Sequence, residues 1–129
     1  MISSHQIYKC EICGNIVEVV RQGNGTLVCC GQEMKTMPAQ TKGEYAEKHA
    51  PVVEEVGENR IRVKVGAVEH PMEDDHYIEW IEVITKNNDR VLRKYLKPGQ
   101  KPEVMFTIRK PEFYVRMYCN IHGLWVNKK

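Results

Sequence analysis

The sequence lacks any apolar run approaching the ~18 residues needed to span a bilayer. Its first residues, "MISSHQIYKC", lack the basic-then-apolar layout of a secretory leader. The expectation is a soluble, cytoplasmic protein with no membrane partner, in a reducing compartment where thiols stay free or bind metal. Strong charge of one sign is also missing. The net charge is +2, with 28% charged residues, too mild for a dedicated nucleic-acid binder, so any positive field that matters is local. There is no long helical period and no internal repeat, which leaves β structure as the main reading. An even cysteine count is absent too. Cys10, Cys13, Cys29, Cys30 and Cys119 make five, so disulfides alone cannot use them all. The neighbours Cys29 and Cys30 would pair with each other only under strain.

The 129 residues suffice for one ordinary domain, or for a very small one joined to a larger one. Residues 1–37 hold four of the cysteines and few large apolar side chains. Such a segment cannot fold on hydrophobic burial alone and needs a staple. Short strands are expected at "QIYKC", "IVEVV" and "TLVCC", with "QGNG" as a turn. "MPAQTKGEYAEKHAP", residues 37–51, reads as a linker or functional loop in which "GEYAEK" forms one helical turn before Pro51 stops it. From there the pattern is β. In "RIRVKVGAV", Ile61, Val63 and Val65 face one way and Arg60, Arg62 and Lys64 the other. "HYIEWIEVIT" is a strand with partial burial on both faces. "PVVEEV", "RVLRKYL", "EVMFTIR", "FYVRMYC" and "LWV" complete seven short strands, separated by segments such as "KNND", "KPGQKP" and "KP". Even spacing of short strands predicts an antiparallel sandwich over residues 38–129.

Two constellations carry the chemistry. The first is Cys10-x-x-Cys13 with Cys29-Cys30. A CxxC turn aims two sulfurs at one ion, and four sulfurs suit a tetrahedral zinc or iron site. Metal binding would supply folding energy of about 10 kcal/mol or more. The alternative, a redox CxxC with a spare cysteine pair, lacks the βαβ context such motifs occupy. The adjacent pair is unusual for a zinc ribbon, because two neighbouring residues must both reach one ion.

The second constellation is His49, His70, His76, Cys119 and His122. Taken singly, each histidine has an ordinary reading as a loop or turn residue. Together they lie at strand ends or in loops, where site residues sit on a rigid sandwich. Cys119 extends the alternation Phe113, Val115, Met117, so its thiol points inward, either as a ligand or as a buried apolar cysteine. "CNIH" turns the chain between Cys119 and His122. Four imidazoles and one thiolate exceed what zinc prefers and suit an iron ion with one position open. His5 lies apart and reads as a surface residue.

These residues resemble the desulfoferrodoxin-type superoxide reductases in their two-iron form. "YKCEICGNIVEVV" and "LVCCGQEM" are similar to the family's desulforedoxin-like N-terminal domain. "EKHAPV", "VGAVEHPMEDDHYIEWIE", "LKPGQKPE" and "YCNIHGLW" are similar to its C-terminal domain. The resemblance implies an all-β chain with an iron-binding desulforedoxin-like domain over residues 1–37. An immunoglobulin-like superoxide reductase domain follows over 38–129. It implies that Cys10, Cys13, Cys29 and Cys30 hold one iron in a distorted rubredoxin-like site. His49, His70, His76 and His122 would lie around a second iron with Cys119 as axial thiolate, His122 binding through Nδ1 and the others through Nε2. It further implies a homodimer and a one-electron reduction of superoxide to hydrogen peroxide.

On that reading Lys48 would attract the anion and organise water for proton delivery, a focusing effect of roughly 10–10³ in on-rate. Glu47 resembles the glutamate that occupies the open position once iron is oxidised. A surface charge is the ordinary reading of both. The partners expected are superoxide and an electron donor such as a rubredoxin-like protein. Two other classes compete: a non-enzymatic two-iron electron carrier or redox sensor, and a zinc-stapled interaction module.

Overall fold

A computed structural model of the chain describes residues 5–43, 45–86, 90–109 and 112–127. The separators "KNND" and "KP" fall, except for Lys86, on residues outside these, as does Glu44 within "GEYAEK". The chain divides into two compact units, Met1–Pro38 and Ala39–Lys129. Each is built almost wholly from β-strands.

The first unit carries β1 (Ile7–Lys9), β2 (Ile16–Glu18), β3 (Val28–Cys29), β4 (Gln32–Glu33) and β5 (Lys35–Met37). β1 lies between β2 and β5 in a three-stranded antiparallel sheet, and β3 pairs with β4 as a separate hairpin. The sequence anticipates β1, β2 and β3 but not β4 or β5. Gln32, Glu33 and Lys35 show no apolar alternation; β4 is paired by the turn that follows β3, whereas β5 adds to the far edge of β1. Ile7, Tyr8 and Cys10 are the buried apolar residues here, among those described.

The second unit opens with a single helical turn, α1 (Ala46–His49), which Ala50 ends by returning to extended backbone ahead of Pro51. Seven strands follow: β6 (Pro51–Val56), β7 (Arg60–Val65), β8 (Ile78–Thr85), β9 (Val91–Tyr95), β10 (Glu103–Thr107), β11 (Phe113–Cys119) and β12 (Gly123–Val126). They form two antiparallel sheets, ordered β10-β7-β6 and β12-β11-β8-β9. The alternation in β7 works as expected. Ile61, Val63 and Val65 enter the core with Phe106 and Ile108, and meet Ile81, Val83, Val115, Met117, Cys119 and Trp125 from the other sheet.

β8 is buried on both faces, which explains its blurred alternation. Its second face carries Glu82, which accepts from Arg93 Nε at 2.9 Å and from Arg116 Nε at 2.7 Å. Two guanidinium partners satisfy a carboxylate that would otherwise be costly to bury. The pairing of β8 with β11 shifts register at Tyr118/Cys119. That irregularity falls where β11 delivers a thiol to the end of the sandwich, a common place for a bulge. Among the described residues no helix is long and apolar enough to cross a membrane.

Candidate metal centres

In the first unit the segment after β1 turns back on itself. Gly14 N–H donates to Cys10 O at 2.9 Å, and Cys13 N–H points at Cys10 Sγ at 3.5 Å. That N–H is the main reason the Cys10 thiol is pulled down to about 6, since a donor aimed at sulfur favours the thiolate. The adjacent pair Cys29-Cys30 is handled by the hairpin. Cys30 and Gly31 are its two central residues, with φ of 54° and 77°, the positive φ pair of a type I′ turn. In extended backbone, neighbouring side chains point to opposite faces. The left-handed Cys30 instead brings its Sγ to 4.0 Å from that of Cys29.

All four Sγ atoms of Cys10, Cys13, Cys29 and Cys30 lie within 4.8 Å of one another, and every cysteine of the chain is a free thiol. Sulfurs this close share protons instead of ionising independently. The Cys13 thiol beside them is the main cause that pushes Cys29 up and Cys30 up to about 12. A cation among the four would remove that conflict, and a four-sulfur set is the donor chemistry of zinc or iron.

In the second unit the donors come from three stretches of chain: α1, the connection between β7 and β8, and the end of β11. His49 ends α1 and is buried. The backbone of α1 is tied down by Val68 N–H donating to Glu47 O at 3.0 Å. Gly66 runs directly beneath it. A Cβ there would lie 2.8 Å from Glu47 O and 2.8 Å from the Lys48 carbonyl carbon, so only glycine allows the approach. His70 follows that turn, its N–H donating to Val65 O at 2.9 Å. His76 closes a tight loop with Glu73, the two exchanging backbone hydrogen bonds of 2.9 and 3.1 Å. Cys119 ends β11, fully buried, and accepts the His122 N–H on Sγ at 3.4 Å.

The donor atoms of His49, His70, His76 and Cys119 lie within 4.8 Å of one another. His122 falls outside that tight set and borders it. Its Nδ1 is 3.1 Å from His49 Nε2 and 3.9 Å from Cys119 Sγ. The tautomers follow from the neighbours. A carbonyl can only accept, so His49 Nδ1–H donates to Tyr45 O at 2.8 Å and His70 Nδ1–H to Pro71 O at 2.6 Å. Both Nε2 atoms are then bare lone pairs, yet they face each other at 3.0 Å. His76 Nε2 is buried with no hydrogen-bond partner.

Converging acceptors with no donor between them fit a cation, and anchoring the far nitrogen to a carbonyl is how ligand imidazoles are held. Burial is the main cause that lowers His49, His122 and His70, the last to about 4. The rings are therefore held neutral, as ligands must be. Burial also raises the Cys119 thiol, against the N–H groups of His122 and Ile121. The sulfur needs a cation beside it to ionise. The two donor sets, four sulfurs and imidazoles with one thiol, fit the two iron centres of desulfoferrodoxin.

Three residues that sequence reasoning missed hold these pieces together. Asn120 accepts Tyr77 N–H on Oδ1 at 2.9 Å and donates to Asp75 O at 3.2 Å, joining the Cys119 turn to the His76 loop. Gln40 Nε2 and Trp125 Nε1 both donate to His122 O, at 2.9 and 3.1 Å. An amide between two candidate ligands in "CNIH" was the available signal for Asn120. Gln40 sits in a segment with no periodicity and gave none.

Glu47 and Lys48 are both exposed on α1. Lys48 lines an open cleft of about 640 Å³ with Glu69, His70 and Lys101. His5 is not the free surface residue expected. Its Nδ1 lies 3.1 Å from a Glu18 carboxylate oxygen, with 14% of the side chain exposed.

Known proteins match this arrangement. The family model for desulfoferrodoxin matches residues 41–128, and that for the desulfoferrodoxin N-terminal domain matches residues 3–37. A desulfoferrodoxin homolog from Archaeoglobus fulgidus is 58% identical over 120 residues, covering 93% of this chain and 94% of the relative. A superoxide reductase from Pyrococcus abyssi is 36% identical over 98 residues, covering 64% of this chain and 85% of the relative. Among solved structures, the superoxide reductase from Treponema pallidum superposes with a TM-score of 0.73 at 28% identity, covering 95% of this chain and 96% of that one.

Proposed function

The chain belongs to the desulfoferrodoxin family, and from that premise we propose that it is a superoxide reductase. The reaction takes one superoxide, one electron and two protons to one hydrogen peroxide, with no oxygen formed. Residues 1–37 form the small iron-binding domain and residues 38–129 the catalytic one. The observation that carries this reading is the convergence of the His49 and His70 Nε2 lone pairs, the orphaned His76 Nε2 and the Cys119 thiol, bordered by His122 Nδ1. Ferrous iron bound there supplies the electron.

The chain's own residues do the rest. Tyr45 O and Pro71 O hold two imidazoles in the tautomer that presents Nε2. Burial keeps the rings neutral. Lys48 follows Glu47 on the exposed side of α1. Its charge attracts a small anion to the adjoining His49 and orders water there for proton delivery. Glu47 stands beside it as the carboxylate that can approach the centre between turnovers. The same reading places the chain in a reducing cytoplasm as a homodimer, served by an electron donor such as a rubredoxin-like protein.

The test is product stoichiometry. Pre-reduced, iron-loaded protein mixed with a limiting pulse of superoxide is expected to give one hydrogen peroxide per superoxide and no oxygen. Oxygen evolution at half the superoxide consumed would mean dismutation and overturn the proposal.

A further inference from the structure

Tyr45 touches the second centre twice, by two different parts of itself. It stands at the start of α1 with φ of −105° and ψ of 8°. Its carbonyl accepts the His49 Nδ1–H at 2.8 Å. Its ring lies over the His122 ring, centroids 4.1 Å apart and planes tilted by 31°, and meets the His49 ring edge-on at 6.1 Å. His49 and His122 are 73 residues apart in the chain, so one side chain bridges donors delivered by segments distant in sequence. Tyr45 as a residue is 47% exposed, far more than an aromatic recruited only for burial. It covers His122 from the solvent side, while His49 stands edge-on at 4.7 Å.

An imidazole that donates its Nδ1 lone pair to a cation becomes electron-poor. The electron-rich face of a phenol stacked on it favours that polarised state over the free one, as in cation–π contacts. The contact is therefore worth more with metal bound than without. Confining the ring also keeps Nδ1 aimed at the other donors, which cuts the entropy of capture.

We propose that Tyr45 is a positioning residue of the second metal centre: its ring sets the orientation of His122 and slows metal release. This rests on the reading of His122 as a ligand. The test uses zinc, which is redox-inert, so superoxide chemistry does not enter. The full chain is loaded with zinc at both centres and release is followed with a chromophoric chelator.

Tyr45→Ala is expected to speed one release phase about 10-fold or more, the usual scale for a partner that supports a ligand. The phase from the cysteine centre should not change. In the zinc protein, the ring-current shift of the His122 ring protons should vanish in Tyr45→Ala and persist in Tyr45→Phe, which should also release zinc at the parent rate. Parent release rates with unmoved His122 resonances in Tyr45→Ala would overturn the proposal. So would Tyr45→Phe behaving like Tyr45→Ala, which would point to the hydroxyl. A His122→Ala chain that releases zinc no faster than the parent would refute His122 as a ligand, a different failure with a different signature.

Discussion

Met1–Pro38 encloses Ile7, Tyr8 and Cys10 and little else among its described residues, whereas Ala39–Lys129 closes two sheets over a continuous cluster from Ile61 to Trp125. Their donor sets differ in the same sense. Cys13 and Cys30 are exposed, while His49, His70 and Cys119 are buried. In the small unit the sulfurs are brought together by local turns, the CxxC turn and the Cys30-Gly31 hairpin. In the sandwich the donors come from segments far apart in sequence, each anchored to a framework that apolar packing already holds. The expectation that follows is that metal is part of the fold in the first unit and a guest of the fold in the second. A metal that builds its unit need not be catalytic, and a metal held by a pre-built scaffold can be given a defined, strained or open environment.

Metal removal should expose the contrast most strongly. Structural metal in small units contributes about 10–16 kcal/mol of apparent folding energy. After chelation, amides of β1, β2 and β5 are expected to lose hydrogen-exchange protection while those of β7, β8 and β11 keep it. Protection retained in the first set would erase the distinction. The next largest effect separates the two centres chemically. Cys119→Ser should abolish the thiolate-to-iron absorption of the oxidised second centre. It should slow superoxide reduction by more than the about 10–100-fold typical when a partner outside the ligands is lost. Cys13→Ser should damage only the first centre, and pre-reduced protein should still react with superoxide at the parent rate. A loss in both variants would mean the units work as one.

Gly66→Ala comes third. The new Cβ has backbone at 2.8 Å on the Glu47–Lys48 side, and overpacking of that kind costs about 1–3 kcal/mol. Denaturant unfolding of the sandwich should shift accordingly, with the cysteine unit unaffected. An unchanged midpoint would mean that α1 is not clamped by the β7 turn. The smallest effect is expected at Lys48. Lys48→Ala should lower the second-order rate with superoxide about tenfold, within the range of electrostatic focusing, and flatten its dependence on ionic strength while iron stays bound. Unchanged kinetics would remove Lys48 from the mechanism.

Much of this was legible in advance, and the reasons differ by region. The seven strands of the sandwich follow from period-2 alternation, clearest in Ile61, Val63 and Val65, which are 4%, 0% and 1% exposed. The helical turn before Pro51 follows from the fixed ring of proline and the lack of β pattern ahead of it. β4 and β5 were not legible, because Gln32, Glu33 and Lys35 are exposed and show no alternation: β4 pairs across the Cys30-Gly31 turn, and β5 pairs with β1 from a distant part of the unit. The problem of two adjacent cysteines reaching one ion was visible in the sequence. Its solution, a left-handed Cys30, was not, because a non-glycine residue seldom adopts positive φ.

The sequence by itself determined the inventory: which side chains can bind metal, that the first unit has little apolar material for a core, and where the strands of the sandwich run. These are local properties, set by residue type, spacing and alternation. Only the tertiary structure decided which nitrogen of each histidine faces inward, that His122 stands at the border of the tighter set, and that Tyr45, Gln40 and Asn120 secure the assembly. Those outcomes depend on carbonyls and rings brought together across the sandwich, and no local spacing encodes a contact between residues 49 and 122.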